Sequence, residues 1–420
     1  MRRPKLLDTA NDYSWPLFRA DALAGVSVAL VALPLCIAIA IASDSTPFVG
    51  LVTAIVGGFV ISATSGSRVQ IGGPTGAFIV VVYGVIQDHG MDGLIVATIM
   101  AGILLIVAGF FRAGRLIALV PEPVIDGFTI GIAGIIAASQ FQDALGLSAG
   151  KVPADMIPKL EALWAARATL SLAALGVTAA TVAAILLLRR WRPRWPVLVI
   201  AVGAASLAVL LFHLPVDTVG SRFGALPSGF PAPHWPEVTT DRIVALLPSA
   251  ITIAFLAGVE SLLSAIVADR MFDGRHRPSA ELLAQGYANV VTPLFGGLPV
   301  TGAIARTATN VRAGGRTPVA GMVHAAVILI VVLAAGGLAG ALALPALAAV
   351  LLVTAYNMAE PEKWREHAAL PRDELLLLLV TLLLTIFADL TIAIGTGVAL
   401  GFILRWWKGR GARLWTPRER

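Results

Sequence analysis

A single cysteine, Cys36, stands in 420 residues, so the chain forms no intramolecular disulfide and offers no cysteine zinc site. Histidine is nearly as scarce. His89, His213, His234, His276, His324 and His367 are scattered without ligand spacing, which argues against a metal enzyme. Charge is the third shortage: 13% of residues are Asp, Glu, Lys or Arg, against about 25% in an ordinary soluble domain. The opening MRRPKLLDTANDYSWPLF lacks the short apolar stretch and small-residue cleavage site of a signal peptide. It reads as a cytoplasmic tail that ends in an interface anchor, Trp15. Nothing supplies a nucleophile with its base, a metal cluster or a nucleotide loop, so neither an enzyme nor a cofactor is expected.

What the chain has in excess is apolar sequence, 57% of residues, with a mean hydropathy of +0.85. No soluble core absorbs that much, whereas a bilayer does, at about 20 apolar residues per spanning helix. Apolar segments fall at about 20–43, 48–66, 73–87, 93–111, 124–142, 170–188, 196–214, 243–268, 281–296, 301–313, 317–335, 338–356, 374–388 and 390–407, fourteen in all. An even number puts both termini on one side. If that side is the cytoplasm, 25 of the 31 Lys and Arg lie on it, five (Lys151, Lys159, Arg167, Arg222, Arg242) lie outside, and Arg306 lies within a span. This bias supports the orientation and explains the net charge of +6 and the pI of about 9.9 without a nucleic-acid partner. RRWRPR at 189–194 and the RWWKGRGAR tail are basic clusters that attract anionic lipid headgroups. The expected location is the plasma (inner) membrane.

Two longer outer connections, about 143–169 and 215–242, are rich in Pro, Gly and charge, and a short helix is expected near 155–166. The second separates seven segments from seven. An odd number per half makes the halves opposite in topology, a plan common among transporters. The third segment of each half is short and interrupted: VQIGGPTGAFIVVV at 69–82 and GGLPVTGAIARTATNV at 296–311. A helix that starts in mid-membrane presents free N–H groups and a positive dipole end, which favour an anion. Two such starts facing each other make a pocket near the midplane. The alternative is that these glycines only permit close helix packing.

Charges inside spans are rarely idle, since each costs about 3 kcal/mol at the bilayer centre. Arg306, in the first turns of the tenth segment, is a fixed positive charge for an anionic substrate, or a structural partner of Glu260, or both. Glu260, near the middle of the eighth segment, is a candidate for coupling, and otherwise a salt-bridge partner. Arg306→Ala is expected to lose transport and keep the fold. Asp126 caps the start of the fifth segment, Gln140, Gln142 and Asp143 are interfacial, Asp389 lies in a tight turn, and His324 is satisfied by a neighbour.

The stretch ELLAQGYANVVTPLFGGLPVTGAIARTATNVRAGGRTPVAG from Glu281 resembles a hallmark of the SulP anion permeases, known in animals as solute carrier family 26. LPLCIAIAIAS in the first segment, SRVQIGGPTGA before the third and VPEPVIDGFTIGIA at the fifth resemble the same family. The resemblance covers essentially all of the membrane part. It implies an all-α polytopic membrane protein with fourteen spans in a seven-plus-seven inverted repeat, and short strands before half-helices three and ten. Residues 1–118 and 243–336 would form a core domain, and 119–242 and 337–420 a gate domain. The core would move against the gate as an elevator, and members are commonly dimers. Family substrates include sulfate, bicarbonate, chloride and some dicarboxylates.

Carried over residue by residue, the family's pocket falls on Thr75, Gly76, Ala77 and Phe78, on Gly302, Ala303, Ile304, Ala305 and Arg306, and near Leu35 and Ile39. Glu260 and Ser264 match its acidic and hydroxyl positions, where a coupling proton or sodium would act. There are departures. Many members have Gln and an aromatic where this chain has Leu35 and Ile39. A sodium-coupled bicarbonate branch has hydroxyl residues at Ile304 and Ala305, which weakens a sodium site. Most members carry a soluble STAS domain after the last span, where about a dozen residues follow here; a naturally short member and a trimmed chain are both open. The resemblance implies transport of sulfate or bicarbonate, with exchange, an uncoupled channel, and a dicarboxylate or nucleobase permease as alternatives. Arg306 argues against the nucleobase reading.

Overall fold

Backbone N–H and C=O groups find no water in hydrocarbon, so apolar segments of this length are stable there as helices, which pair those groups internally. A computed structural model of the protein describes residues 3–9, 13–115, 121–150, 152–192, 195–225, 227, 229–272, 274–388 and 390–407. A short α1 (Leu6–Thr9) precedes α2 (Trp15–Ala42), α3 (Pro47–Thr64) and α4 (Ile79–Phe110). Next come α5 (Glu122–Leu145), a short α6 (Met156–Ala165), α7 (Leu172–Trp191) and α8 (Val197–Leu211). The short α9 (Val219–Phe223) is followed by α10 (Thr240–Phe272), α11 (Pro278–Leu294), α12 (Ile304–Arg312) and α13 (Val319–Ala339). Then follow α14 (Leu344–Ala359), the short α15 (Trp364–Ala368), α16 (Arg372–Phe387) and α17 (Leu390–Trp407). Among the described residues, seven helical stretches are long and apolar enough to cross a membrane, and three shorter ones of 10–17 residues are also apolar.

Local sequence sets several boundaries. Proline opens α2, α3, α5, α11 and α14, where its missing N–H would have had no helical partner. Gly146 ends α5 in the left-handed region, at φ 62°. Helix α4 spans two of the apolar segments marked in the sequence, divided at Gly90 by a backbone with φ 69° and ψ −177° that only glycine adopts freely. The helix expected near 155–166 is α6.

Packing sorts the helices into two groups. Helices α2, α3, α4, α10, α11, α12 and α13 pack mainly on one another, and so do α5, α7, α8, α14, α16 and α17. In the first group α4 and α11 approach most closely at Gly102 and Gly286, where a Cβ on either would sit 2.8 Å from the other's carbonyl oxygen. Dispersion replaces the hydrophobic effect between helices in lipid, and small residues admit that approach. A seam separates the groups, crossed by α2 against α8 and α14, and by the turn Gly76–Phe78 against α5 and α14.

Two strands lie inside this bundle. β1 (Gly72–Gly73) pairs antiparallel with β2 (Thr301–Gly302), Gly72 opposite Gly302 and Gly73 opposite Thr301. The pairing satisfies backbone groups that no helix could serve at that depth. Asp143, near the end of α5, forms an ion pair with Arg222 at 2.7 Å. Three expectations outside the site are corrected. Gln140 is buried, and its amide donates to Ser139 Oγ at 2.9 Å. Asp126 stands a turn inside α5, 3.4 Å from His367 Nε2, and does not cap the helix. His324 is fully buried and, among the described residues, has no hydrogen-bond partner at either ring nitrogen. Asp389, Arg194 and the tail beyond 407 lie outside the described residues.

Candidate functional site

Each strand turns directly into a helix start. Past Gly73 the chain runs through Pro74 and Thr75 into the turn Gly76–Phe78 and on into α4; past Gly302, Ala303 leads into α12. The β1–β2 pair therefore brings two helix N-termini together, one from each half of the sequence. Side chains from the first break, from α12 and from α10 close around the strand pair. Thr75 and Glu260 are both half-buried, and Thr75 Oγ1 donates to Glu260 Oε2 at 2.8 Å. Arg306 is 1% exposed and reaches back to the first strand, donating to the carbonyl oxygens of Pro74 and, at 3.4 Å, Gly72. Among the described residues its Nε has no hydrogen-bond partner.

The ion pair expected as one alternative, between Arg306 and Glu260, is therefore not formed. The guanidinium holds first-half carbonyls, and the carboxylate holds a first-half hydroxyl. Gly73 is required for this. Its φ is 151°, and a Cβ there would run into the Arg306 guanidinium. Gly302 serves the other side, where a Cβ would run into the Gln70 amide. That amide donates to the backbone oxygen and to Oγ of Ser261, at 3.0 Å each.

The other expected residues divide. Gly76, Ala77, Phe78, Ala303 and Ile39 are buried and Leu35 is half-buried. Gly76 faces the second helix group, where a Cβ would lie 3.3 Å from Ile136 Cδ1 and Met358 Sδ. Leu35 and Ile39 ride on α2, which packs on α12 and α14. Ser264 is not drawn to Glu260; its hydroxyl lies 3.2 Å from Thr307 Oγ1, which accepts from Ile71 N at 3.1 Å. Ile304 and Ala305 are exposed, Ile304 by 43%. Among the described residues, no group of three or more His, Cys, Asp or Glu could hold a metal ion.

Sequence reasoning missed the polar network behind the crossing. Glu281 is fully buried and, among the described residues, has no cationic partner. Four donors converge on it: Ser65 Oγ at 2.7 Å, Gly66 N at 3.1 Å, Ser261 Oγ at 2.8 Å and Gln285 Nε2 at 2.9 Å. A carboxylate accepting several hydrogen bonds needs no counter-ion to remain buried. Asn289 continues the network, donating to and accepting from the backbone of Val300. Asn310 donates to Val69 O at 2.8 Å. The only sequence signal was the i, i+4 spacing of Glu281, Gln285 and Asn289 on one helix face.

Known proteins place this arrangement. The protein is 38% identical over 392 residues to the putative sulfate transporter YvdB of Bacillus subtilis, covering 93% of this chain and 74% of that one. It is 30% identical over 410 residues to the bicarbonate transporter BicA of Synechocystis, covering 95% and 71%. The solved transmembrane domain of a cyanobacterial BicA superposes with a TM-score of 0.81 at 28% identity, over 91% of this chain and 98% of that domain. The inward-facing murine Slc26a9 anion transporter shares the fold, with a TM-score of 0.88 at 17% identity, over 96% of this chain and 71% of that one. The sulfate permease family model matches residues 18–381. With the crossed strands, the paired helix starts and a polytopic helical fold, that match makes this integral membrane protein a member of the sulfate permease family, a transporter of anions and not an enzyme.

Proposed function

We propose that the protein is a secondary active transporter of a small inorganic anion, sulfate or bicarbonate, that works by an elevator movement coupled to a cation gradient. The observation that carries this is the β1–β2 pair, from which the helix starts at Gly76 and Ile304 both run, with the buried Arg306 held on the carbonyls of Gly72 and Pro74. The partial positive charge of two helix N-termini and an unpaired Arg306 Nε–H suit an anion and repel a cation. Thr75, Gly76, Ala77, Phe78, Gly302, Ala303, Ile304, Ala305 and Arg306 form the proposed pocket, with Leu35 and Ile39 as its apolar wall. The relatives named for sulfate and for bicarbonate supply the two candidate substrates.

Glu260 is the proposed coupling group. Its carboxylate touches Thr75 at the pocket wall, so a proton or sodium ion gained there alters the field felt by the anion. Sodium prefers a shell of several oxygens. Ser264 is engaged with Thr307, and Ile304 and Ala305 bring no side-chain oxygen, which favours the proton. The first helix group is the proposed moving core and the second the gate, in a seven-plus-seven inverted repeat with both termini cytoplasmic and two copies per assembly. The test is uptake into proteoliposomes of labelled sulfate, bicarbonate, a dicarboxylate and a nucleobase, each measured separately. Saturable uptake of sulfate or bicarbonate is expected. Saturable uptake of only the dicarboxylate or a nucleobase would contradict the substrate assignment.

A further inference from the structure

A second feature of the seam is a cavity of about 390 Å³. It is lined by both helix groups: by residues 79–81 and 83–85 of α4 and Ser249 and Thr252 of α10 on one side, and by Ser139 of α5 and the end of α16 on the other. Thr252 precedes Glu260 by eight residues on α10, about 12 Å at 1.5 Å per residue. The cavity thus lies along the seam from the crossing, toward the outer connections in the proposed orientation. The start of α6 and the two residues before it contribute its lid, residues 154–159.

Lys159 stands out in that lid. It is 5% exposed, and among the described residues it makes no ion pair. Its Nζ lies 5.5 Å from the centroid of the Tyr83 ring, a cation–π contact that replaces only part of lost hydration. Burial pulls its amine below the ordinary lysine range, and Asp155 one turn earlier on α6 pulls weakly the other way. Asp88 and Asp155 also border the cavity, but both are exposed at the rim, where water screens them. The hydroxyls of Ser139, Thr252 and Thr385 each donate to a carbonyl of their own helix. The ammonium is therefore the buried positive charge of this chamber, and its N–H donors, with the half-buried Ser249 hydroxyl across the cavity, face a ligand.

We propose that this chamber is a second anion site, where a small inorganic anion pairs with Lys159 under the α6 lid on its way to or from the crossing. That the ligand is the transported ion rests on the transport reading above; anion binding at Lys159 does not. The same lysine thereby acts as a receptor that raises the local concentration of substrate beside a narrow route.

The direct test is amine acylation of the purified protein by acetic anhydride, followed residue by residue by mass spectrometry. Sulfate or bicarbonate, compared with gluconate at equal ionic strength, is expected to slow acylation of Lys159 about fivefold at four times the dissociation constant. Lys363, a half-exposed lysine on the other face of the chain's loops, is expected to react at an unchanged rate. Equal rates at Lys159 with and without either anion would overturn the site. The second readout is transport. Lys159→Met is expected to raise KM about tenfold with kcat little changed, and Lys159→Arg to restore KM. Protection without any uptake would refute the transport reading and keep the site, whereas uptake with unchanged KM in Lys159→Met and no protection would refute the site and keep transport.

Discussion

The two strand breaks share a backbone plan and differ in chemistry. The first, Gly72 to Phe78, carries no charge; it offers carbonyl oxygens, one hydroxyl and a helix start. The second, Thr301 to Arg306, carries the arginine, and the glutamate that answers the first break stands on α10, also in the second half. Arg306 and Glu260 both reach into the first half, one to the carbonyls of Gly72 and Pro74, the other to Thr75. The two breaks thus share a backbone plan while charge is concentrated on one of them. That division avoids a second buried charge, which would itself have needed partners.

The largest effect is expected where that geometry leaves no room. Gly73→Ala places a Cβ against the Arg306 guanidinium at φ 151°. A loss of about 3 kcal/mol is expected, read as a fall in the thermal unfolding midpoint in detergent and loss of a monodisperse peak. Wild-type stability for this variant would mean that the arginine does not rest on β1. Arg306→Ala comes next. It leaves carbonyls of β1 unpaired, so it is expected to lower stability by about 2 kcal/mol as well as to abolish uptake, which revises the expectation of an unaffected fold. Arg306→Lys keeps the charge and loses the forked donor, so it is expected to recover stability in part and uptake hardly at all.

The two glutamates give a sharper contrast. Glu281 accepts from four donors, and Glu281→Gln turns an NH2 toward one of them. About 2 kcal/mol of destabilisation is expected by thermal unfolding. Glu260→Gln keeps an oxygen for Thr75, and a midpoint near wild type is expected. If the two variants melted alike, Glu260 would be as structural as Glu281. The smallest effect belongs to Arg222→Ala, at a pair with Asp143 and Asp217 that is partly solvated. Less than about 1 kcal/mol is expected, shrinking further in high salt.

Much of this was legible in the amino-acid order, and the reasons are physical. Apolar runs and their Gly/Pro interruptions mark helices and their breaks because lipid leaves the backbone no other option. Arg306 and Glu260 were conspicuous because charge is scarce and costly there. The contacts they make were not legible. Glycines in β1 and β2 pair across 230 residues of chain, and only the folded bundle shows that Gly73 is vacant space for a guanidinium. Glu281 looked like an ordinary acid at a helix start, since its donors come from Ser65, Gly66 and Ser261, all far away in sequence. Ser264 followed the opposite course: a position that the family resemblance matched to a coupling role faces Thr307. Lys159 read as one of five outer cations, and its burial became visible only when α6 folded over the seam.

The most direct test of the central claim compares wild type with Glu260→Gln in proteoliposomes carrying an imposed proton or sodium gradient, following the accumulation of labelled sulfate and bicarbonate. The account predicts accumulation above electrochemical equilibrium in wild type for one of the two anions. In Glu260→Gln it predicts flux that stops at equilibrium, with the unfolding midpoint unchanged. Accumulation that persists undiminished in Glu260→Gln would contradict coupling through that carboxylate, and wild-type flux that never exceeds equilibrium would contradict active transport itself.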